Sequence, residues 1–212
     1  MDKKIVLLVF MLFQSVFIFS QEDWNLIKES DEIKVFTKKE NNYIIDTFKA
    51  TVAINSSVED FVSVLKTIKI FPNWGHNIKN ANLLEKSGDT LQIYYSVAKA
   101  PFPYKNRDGI YLNRFRWQKE TKTLRVDIEV LEDYLALNDK YVRVKGYGYW
   151  EVQELSKNKI FVTFSMQIDP GGSIPSWLAN MFVEDTPFNT LLNLKELLES
   201  GDYKKQTFSF ID

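Results

Sequence analysis

The chain reads as a series of short stretches in which apolar and polar residues alternate, closed by one long stretch in which apolar residues recur every three or four positions. Residues 33–37 and 43–54 have period two, the second with Ile44, Phe48, Ala50, Val52 and Ile54 on one face, as half-buried strands do. Asn41-Asn42 between them signals a hairpin. Ser56-Ser57-Val58-Glu59 predicts a capping box, with Glu59 three residues after Ser56, and Val58, Phe61, Leu65 and Ile68 follow at helical spacing as far as Phe71-Pro72-Asn73-Trp74-Gly75. Period two then returns over Leu91, Ile93, Tyr95 and Val97, and residues 110–117 are strand-like without a clear buried face. It continues over Leu124, Val126, Ile128 and Val130, over Val142, Val144, Gly146, Gly148, Trp150 and Val152, and over Ile160, Val162, Phe164, Met166 and Ile168. Turns as short as Lys86-Ser87-Gly88-Asp89 and Ser156-Lys157-Asn158 separate these segments, which argues for antiparallel pairing.

The final stretch is helical. Asp169-Pro170 ends the last strand, Gly171-Gly172 turns the chain, Ser173 offers an N-cap and Pro175 fits a first turn. Ile174, Leu178, Met181, Phe182, Phe188, Leu191, Leu192, Leu194 and Leu198 then form a broad apolar stripe that runs to Gly201, with Pro187 predicting a kink. At the other end, Trp24, Leu26 and Ile27 open a short segment read as a helix. The order of elements predicts an α+β fold in which a curved antiparallel sheet wraps a long C-terminal helix. Residues 21–200 make one domain, and residues 201–212 read as a polar, loosely held tail.

Composition narrows the chemistry. The 212 residues carry a net charge of −1, which gives no long-range attraction to nucleic acid. Cysteine is absent, so disulfides, thiol nucleophiles and thiolate-held metals are excluded. No His/Asp/Glu cluster has metal spacing, and no phosphate loop, serine elbow or catalytic triad motif occurs; no cofactor is implied. Lys3 and Lys4 precede an apolar run over residues 5–19, with Ser20 and polar Gln21-Glu22-Asp23 after it. That length suits a signal peptide over residues 1–20 and is short for a spanning helix. The expectation is an exported protein, periplasmic or secreted, with a retained anchor as the alternative.

Three stretches resemble one known family. Asp169-Pro170-Gly171-Gly172-Ser173-Ile174-Pro175-Ser176-Trp177-Leu178 is similar to the START family's passage into its C-terminal helix. Pro101-Phe102-Pro103-Tyr104-Lys105-Asn106-Arg107-Asp108 is similar to its loop and Arg-Asp pair opening a central strand. Trp74, ahead of Asn80-Ala81, resembles the tryptophan after its second helix. These are the steroidogenic-acute-regulatory-protein-related lipid transfer domains, with a helix-grip (Bet v 1-like) fold. The resemblance covers residues 24–200. It implies a deep apolar cavity between sheet and C-terminal helix holding one lipid or sterol-like molecule, taken up during transient contact with a membrane surface.

On that reading Val144, Trp150, Val162, Phe164, Met166, Leu178, Met181, Phe182 and Phe188 would line the cavity. Arg107 would meet a polar ligand group, beside Asp108, or the two would serve in a structural Arg–carboxylate pair. Asp185 lies within the helix stripe and faces either cavity or solvent. Residues 99–106, with Phe102 and Tyr104 at the tip, would form a lid, and Tyr134-Leu135-Ala136-Leu137 a second rim; the two aromatics otherwise tuck into the core. Gly146 and Gly148 either leave room or let their strand bend or pack closely. Arg143, on a polar strand face, reads as a surface or sheet-pairing residue, and His76, the single histidine, as incidental. A cyclase- or hydrolase-type enzyme would instead bring Arg107, Asp108 or Asp185 together in the cavity. A module that binds another envelope protein would have a filled core and an exposed apolar patch.

Overall fold

The computed structural model describes residues 24–211, except 41, 42, 44, 173, 176, 177 and 180. The apolar run of residues 1–20, the Asn41-Asn42 turn and the Ser173 cap lie outside the described residues. The strands are β1 (Asn25–Ser30), β2 (Ile33–Lys38), β3 (Thr47–Ile54), β4 (Ile78–Ser87), β5 (Leu91–Ala98), β6 (Arg107–Gln118), β7 (Thr123–Val130), β8 (Val142–Arg143), β9 (Lys145–Ser156) and β10 (Lys159–Asp169). They form one sheet in the order β1-β2-β3-β10-β9-β7-β6-β5-β4, antiparallel throughout except that β8 pairs in parallel with β6.

The segment opened by Trp24 is therefore a strand, not a helix: β1 pairs with β2 from Asn25↔Thr37 to Ser30↔Ile33. The first helix, α1 (Val58–Lys66), is capped one residue later than the Ser56 pattern implied. Ser57 is extended and its hydroxyl accepts from the Asp60 N–H at 3.1 Å. A single 3-10 turn (Ile68–Ile70) leads into the short α2 (Phe71–Trp74).

The last helix is not one kinked rod. Leu178 and Ala179 are helical, a π-helical turn follows over Met181–Asp185, and only then does α3 (Thr186–Ser200) begin, with Pro187 in its first turn. Proline cannot donate into the ladder, and around it two side chains bond to backbone carbonyls. Thr186 Oγ1 donates to the Met181 carbonyl at 3.0 Å and Asn189 Nδ2 to that of Asp185 at 2.7 Å. Past this point α3 packs on β2 and β3, with Leu191, Leu194 and Leu198 buried in the main core.

That core runs along the inner face of the sheet, through Phe48, Ala50, Val52 and Ile54 on β3, Val152 and Trp150 on β9, and Val162 and Phe164 on β10. The two glycines of β9 serve close packing. A Cβ on Gly148 would stand 2.3 Å from the Ser165 carbonyl oxygen, and one on Gly146 2.2 Å from that of Gln167, so each lets β10 approach. The tail departs from expectation. Phe208 is buried in the core, Phe210 meets Phe115 with ring centroids 6.2 Å apart, and the Gln206 N–H reaches Ser63 Oγ at 3.0 Å. Phe208, with Tyr203, Phe210 and Ile211 packed against the same core, anchors the segment.

Candidate functional site

Where α3 lies on β2 and β3 the layers interlock. Beside it α1 packs on β9, α2 on β4 and the π turn on β3, and the fit between them and the sheet is incomplete. A cavity of about 110 Å³ remains. Its apolar wall comes from Phe48, Ile128, Trp150, Phe164, Met166 and Ile168 on the sheet, from Leu65, Ile68, Phe71 and Trp74 on the helices, and from Met181 and Phe182 on the π turn. Trp150 stacks on Phe164 with centroids 3.9 Å apart and planes within 7°, and Trp74 meets Trp150 at 6.2 Å. A π turn widens the helix locally and turns side chains that a regular helix would set elsewhere; here it carries Met181 and Phe182 into the wall.

The side under β5 and β6 is more polar. Tyr94 and Ser96 on β5 and Tyr111 and Asn113 on β6 face the cavity. Tyr94 and Tyr111 stack at 5.2 Å. Burial raises both phenols, Tyr111 to about 12 and Tyr94 further, so each remains a neutral hydroxyl. Gly75 and Thr190, both buried, also line the cavity, and the partly or fully exposed lining residues His76, Asn77, Ile78, Ala98, Lys99 and Thr186 mark its mouth. The Lys99 N–H donates to the Asn77 carbonyl at 2.7 Å. Burial lowers the His76 imidazole, with Asp185 acting weakly in the opposite sense.

Of the residues expected in the wall, Trp150, Phe164, Met166, Met181 and Phe182 line the cavity. Val144, Val162, Leu178 and Phe188 do not; all four are buried elsewhere in the interior. Phe188 turns toward β1, where Lys28 Nζ lies 4.5 Å from its ring centroid. Asp185 is half exposed and takes a 3.3 Å contact from Lys28 Nζ. The polar wall of Tyr94, Ser96, Tyr111 and Asn113, and the mouth residue His76, were missed. On β5 the apolar set Leu91, Ile93, Tyr95 and Val97 faces the other way, with Ile93 packed outside the cavity against Ile110, Leu112 and Leu131. The hint was that Tyr94, Ser96 and Ala98 make a second, mildly apolar alternation.

The START domain family model matches residues 15–201. This chain belongs to the START family. A solved structure of a StAR-related lipid transfer protein from Xanthomonas axonopodis, resolved as a fragment, is 34% identical, with a TM-score of 0.76 over 83% of this chain and 98% of that one. The rat phosphatidylcholine transfer protein is 28% identical over 169 residues, 74% of this chain and 75% of its own length. The Chinese hamster (Cricetulus griseus) ceramide transfer protein is 26% identical over 175 residues, 73% of this chain; the match spans 29% of that longer protein.

In this START domain the Arg-Asp pair of β6 lies behind the cavity rather than in it. Arg107 is buried, its Nε donating to the Pro170 carbonyl at 3.3 Å and its Nη1 to that of Lys105 at 2.6 Å. Asp108 takes both of its 3.0 Å hydrogen bonds from Arg143, which also donates to the Glu132 and Leu135 carbonyls. Arg143 is thus a sheet-pairing residue, one of its two readings, and its side chain is a buried partner of Asp108. Between them the three side chains fasten residues 99–106, residues 131–141 and the turn into the last helix. The first two segments also join directly, through Lys105 Nζ to the Asp139 carbonyl at 2.7 Å and the Val142 N–H to that of Asn106 at 3.0 Å. At their tip Phe102 is 96% exposed and Leu137 76% exposed. Tyr104, which was paired with Phe102 at that tip, is half-buried. No group of side chains among the described residues could hold a metal ion.

Proposed function

We propose that this START domain binds one lipid in the cavity and exchanges it at a membrane surface. The observation that carries the reading is the cavity itself: a wall of aromatic and aliphatic side chains left open where the helical cover and the sheet do not interlock. Burying a lipid methylene contributes about 0.8 kcal/mol. Ten of them supply about 8 kcal/mol before ordering costs, enough for roughly micromolar binding with few polar contacts. The kinship with a ceramide transfer protein and a phosphatidylcholine transfer protein supports the same reading.

The surface contact is assigned to the tip that carries Phe102 and Leu137, with Tyr134 and Leu135 also exposed. Residues 99–106 leave β5 at Ala98, a residue of the cavity mouth, so a tip seated in a bilayer brings the mouth to the lipid. Residues 1–20 act as a signal peptide and the domain works outside the cytoplasm. An enzyme reading has less support, since Arg107, Asp108 and Asp185 all stand outside the cavity wall.

Native mass spectrometry of gently purified protein tests lipid binding. A mass excess that solvent extraction removes and lipid restores is expected; a chain that neither carries nor takes up any lipid overturns the reading. The mass of the protein isolated from its own source tests removal of residues 1–20.

A further inference from the structure

Among the described residues, three buried side-chain polar atoms lack a hydrogen-bond partner: Ser56 Oγ, Trp74 Nε1 and Asn113 Oδ1. Trp74 and Asn113 belong to the cavity wall. Both residues are almost wholly inside, Trp74 at 2% and Asn113 at 1% exposure. Buried polar groups are normally paired, and an orphan points to something that completes it. Here one orphan is an obligate donor, the indole N–H, and the other is an amide acceptor.

Both line the same cavity. Trp74 packs on Phe71 at 4.6 Å, and Phe71 meets Tyr94 at 6.0 Å, the ring that stacks on Tyr111, two residues before Asn113 on the same strand. Among the described residues of the wall there is no carboxylate; the ionisable groups are the neutral phenols of Tyr94 and Tyr111, with Lys99 and His76 at the mouth. An ionic group here would lose its hydration with no counter-charge to replace it. We propose that Trp74 Nε1 and Asn113 Oδ1 are the polar subsite of the cavity, and that its ligand is an uncharged lipid whose buried end both donates and accepts a hydrogen bond, as a hydroxyl or a secondary amide does. This rests on the lipid-binding reading above and narrows it to a head-group class.

Three probes that share one chain isolate the head group: hexadecan-1-ol, which donates and accepts; its methyl ether, which only accepts; and hexadecyl phosphate, which is charged. Their binding to the full chain is measured by native mass spectrometry and by displacement of a fluorescent fatty probe. The alcohol binds at least about ten-fold more tightly than the ether, the loss of one hydrogen bond, and the phosphate binds more weakly still. Asn113→Leu and Trp74→Phe each shrink the alcohol-to-ether ratio toward one while the ether still binds. Equal binding of all three by the natural protein overturns the subsite and leaves lipid binding standing. Preference for the phosphate does the same. A ratio that survives in both variants also overturns it. If none of the three loads, the lipid-binding reading falls as well. The comparison within the natural protein decides the matter even if a variant folds poorly.

Discussion

The His76 backbone N–H donates to Thr190 Oγ1 at 3.2 Å, which ties the loop at the cavity mouth to the first turns of the last helix. One turn further on, Asn193 Nδ2 donates to the Trp74 carbonyl at 3.2 Å. A lipid that passes between this loop and the π turn must loosen these bonds, as lids do when they set an exchange rate. Thr190→Val keeps the shape and removes the acceptor. We expect a stability loss of about 1 kcal/mol together with several-fold faster transfer of a fluorescent lipid between vesicles. Reduced stability with an unaltered transfer rate would show that the route lies elsewhere.

The buried ion pair makes a second, independent prediction. Asp108 and Arg143 are nearly inaccessible, with side chains 3% and 7% exposed. Removing the cation leaves a carboxylate buried without a counter-charge, which costs about 3–5 kcal/mol. Arg143→Met is therefore strongly destabilising in urea titrations, and Asp108→Asn in the same chain recovers much of the loss because the charge is gone. If the double variant is no more stable than Arg143→Met alone, the penalty comes from the lost bonds to the Glu132 and Leu135 carbonyls instead.

Such pairs explain what the sequence could and could not reveal. Trp150, Phe164 and Met166 were assignable to the wall because their strand neighbours Glu151, Thr163 and Gln167 are polar, so one face of β9 and β10 was plainly inward. On β5 and β6 both faces carry apolar residues. Ile93, Ile110 and Leu112 are covered from outside with the help of Leu131, a contact that periodicity cannot register. On β5 the inner face, with Tyr94 and Ser96, looked like the solvated one, and on β6 neither face was marked as buried, so Tyr111 and Asn113 stayed unassigned. For Arg143 sheet pairing was legible but its ion pair was not: the partner is 35 positions away on a strand it meets in parallel. Pro187 announced an interruption, but the π turn before it, where Thr186 Oγ1 bonds to the Met181 carbonyl, is a choice that spacing alone does not encode.

Phe102 offers a test of the surface contact that leaves the fold alone. Its ring is 96% exposed, so Phe102→Ser changes stability by no more than about 0.5 kcal/mol. Insertion of a phenyl ring into the bilayer boundary contributes about 1.5–3 kcal/mol. The variant should therefore partition onto phosphatidylcholine vesicles about ten-fold less or weaker, as read by co-sedimentation. Leu137→Ser should act in the same direction and add to it, being the other strongly exposed apolar residue of the tip. Vesicle binding that neither substitution alters would remove this tip as the contact.

His76 predicts how stability depends on pH. Burial lowers its folded pKa below the ordinary 6.5, and the opposing pull of Asp185 is the smaller effect. Above that ordinary value the imidazole is neutral in both states and contributes nothing. As pH falls below it, the unfolded chain takes up a proton that the folded chain refuses, so stability declines until the lowered folded pKa is passed and then levels off. His76→Gln removes this component. The difference between the natural protein and the variant, followed by urea midpoints from pH 7.5 to pH 5, should shift steadily in favour of the variant through that window, while carboxylate titration at lower pH affects both alike. Parallel curves would mean that the imidazole takes up its proton as readily in the folded chain as in the unfolded one, and that the mouth of the cavity is open enough to hydrate it.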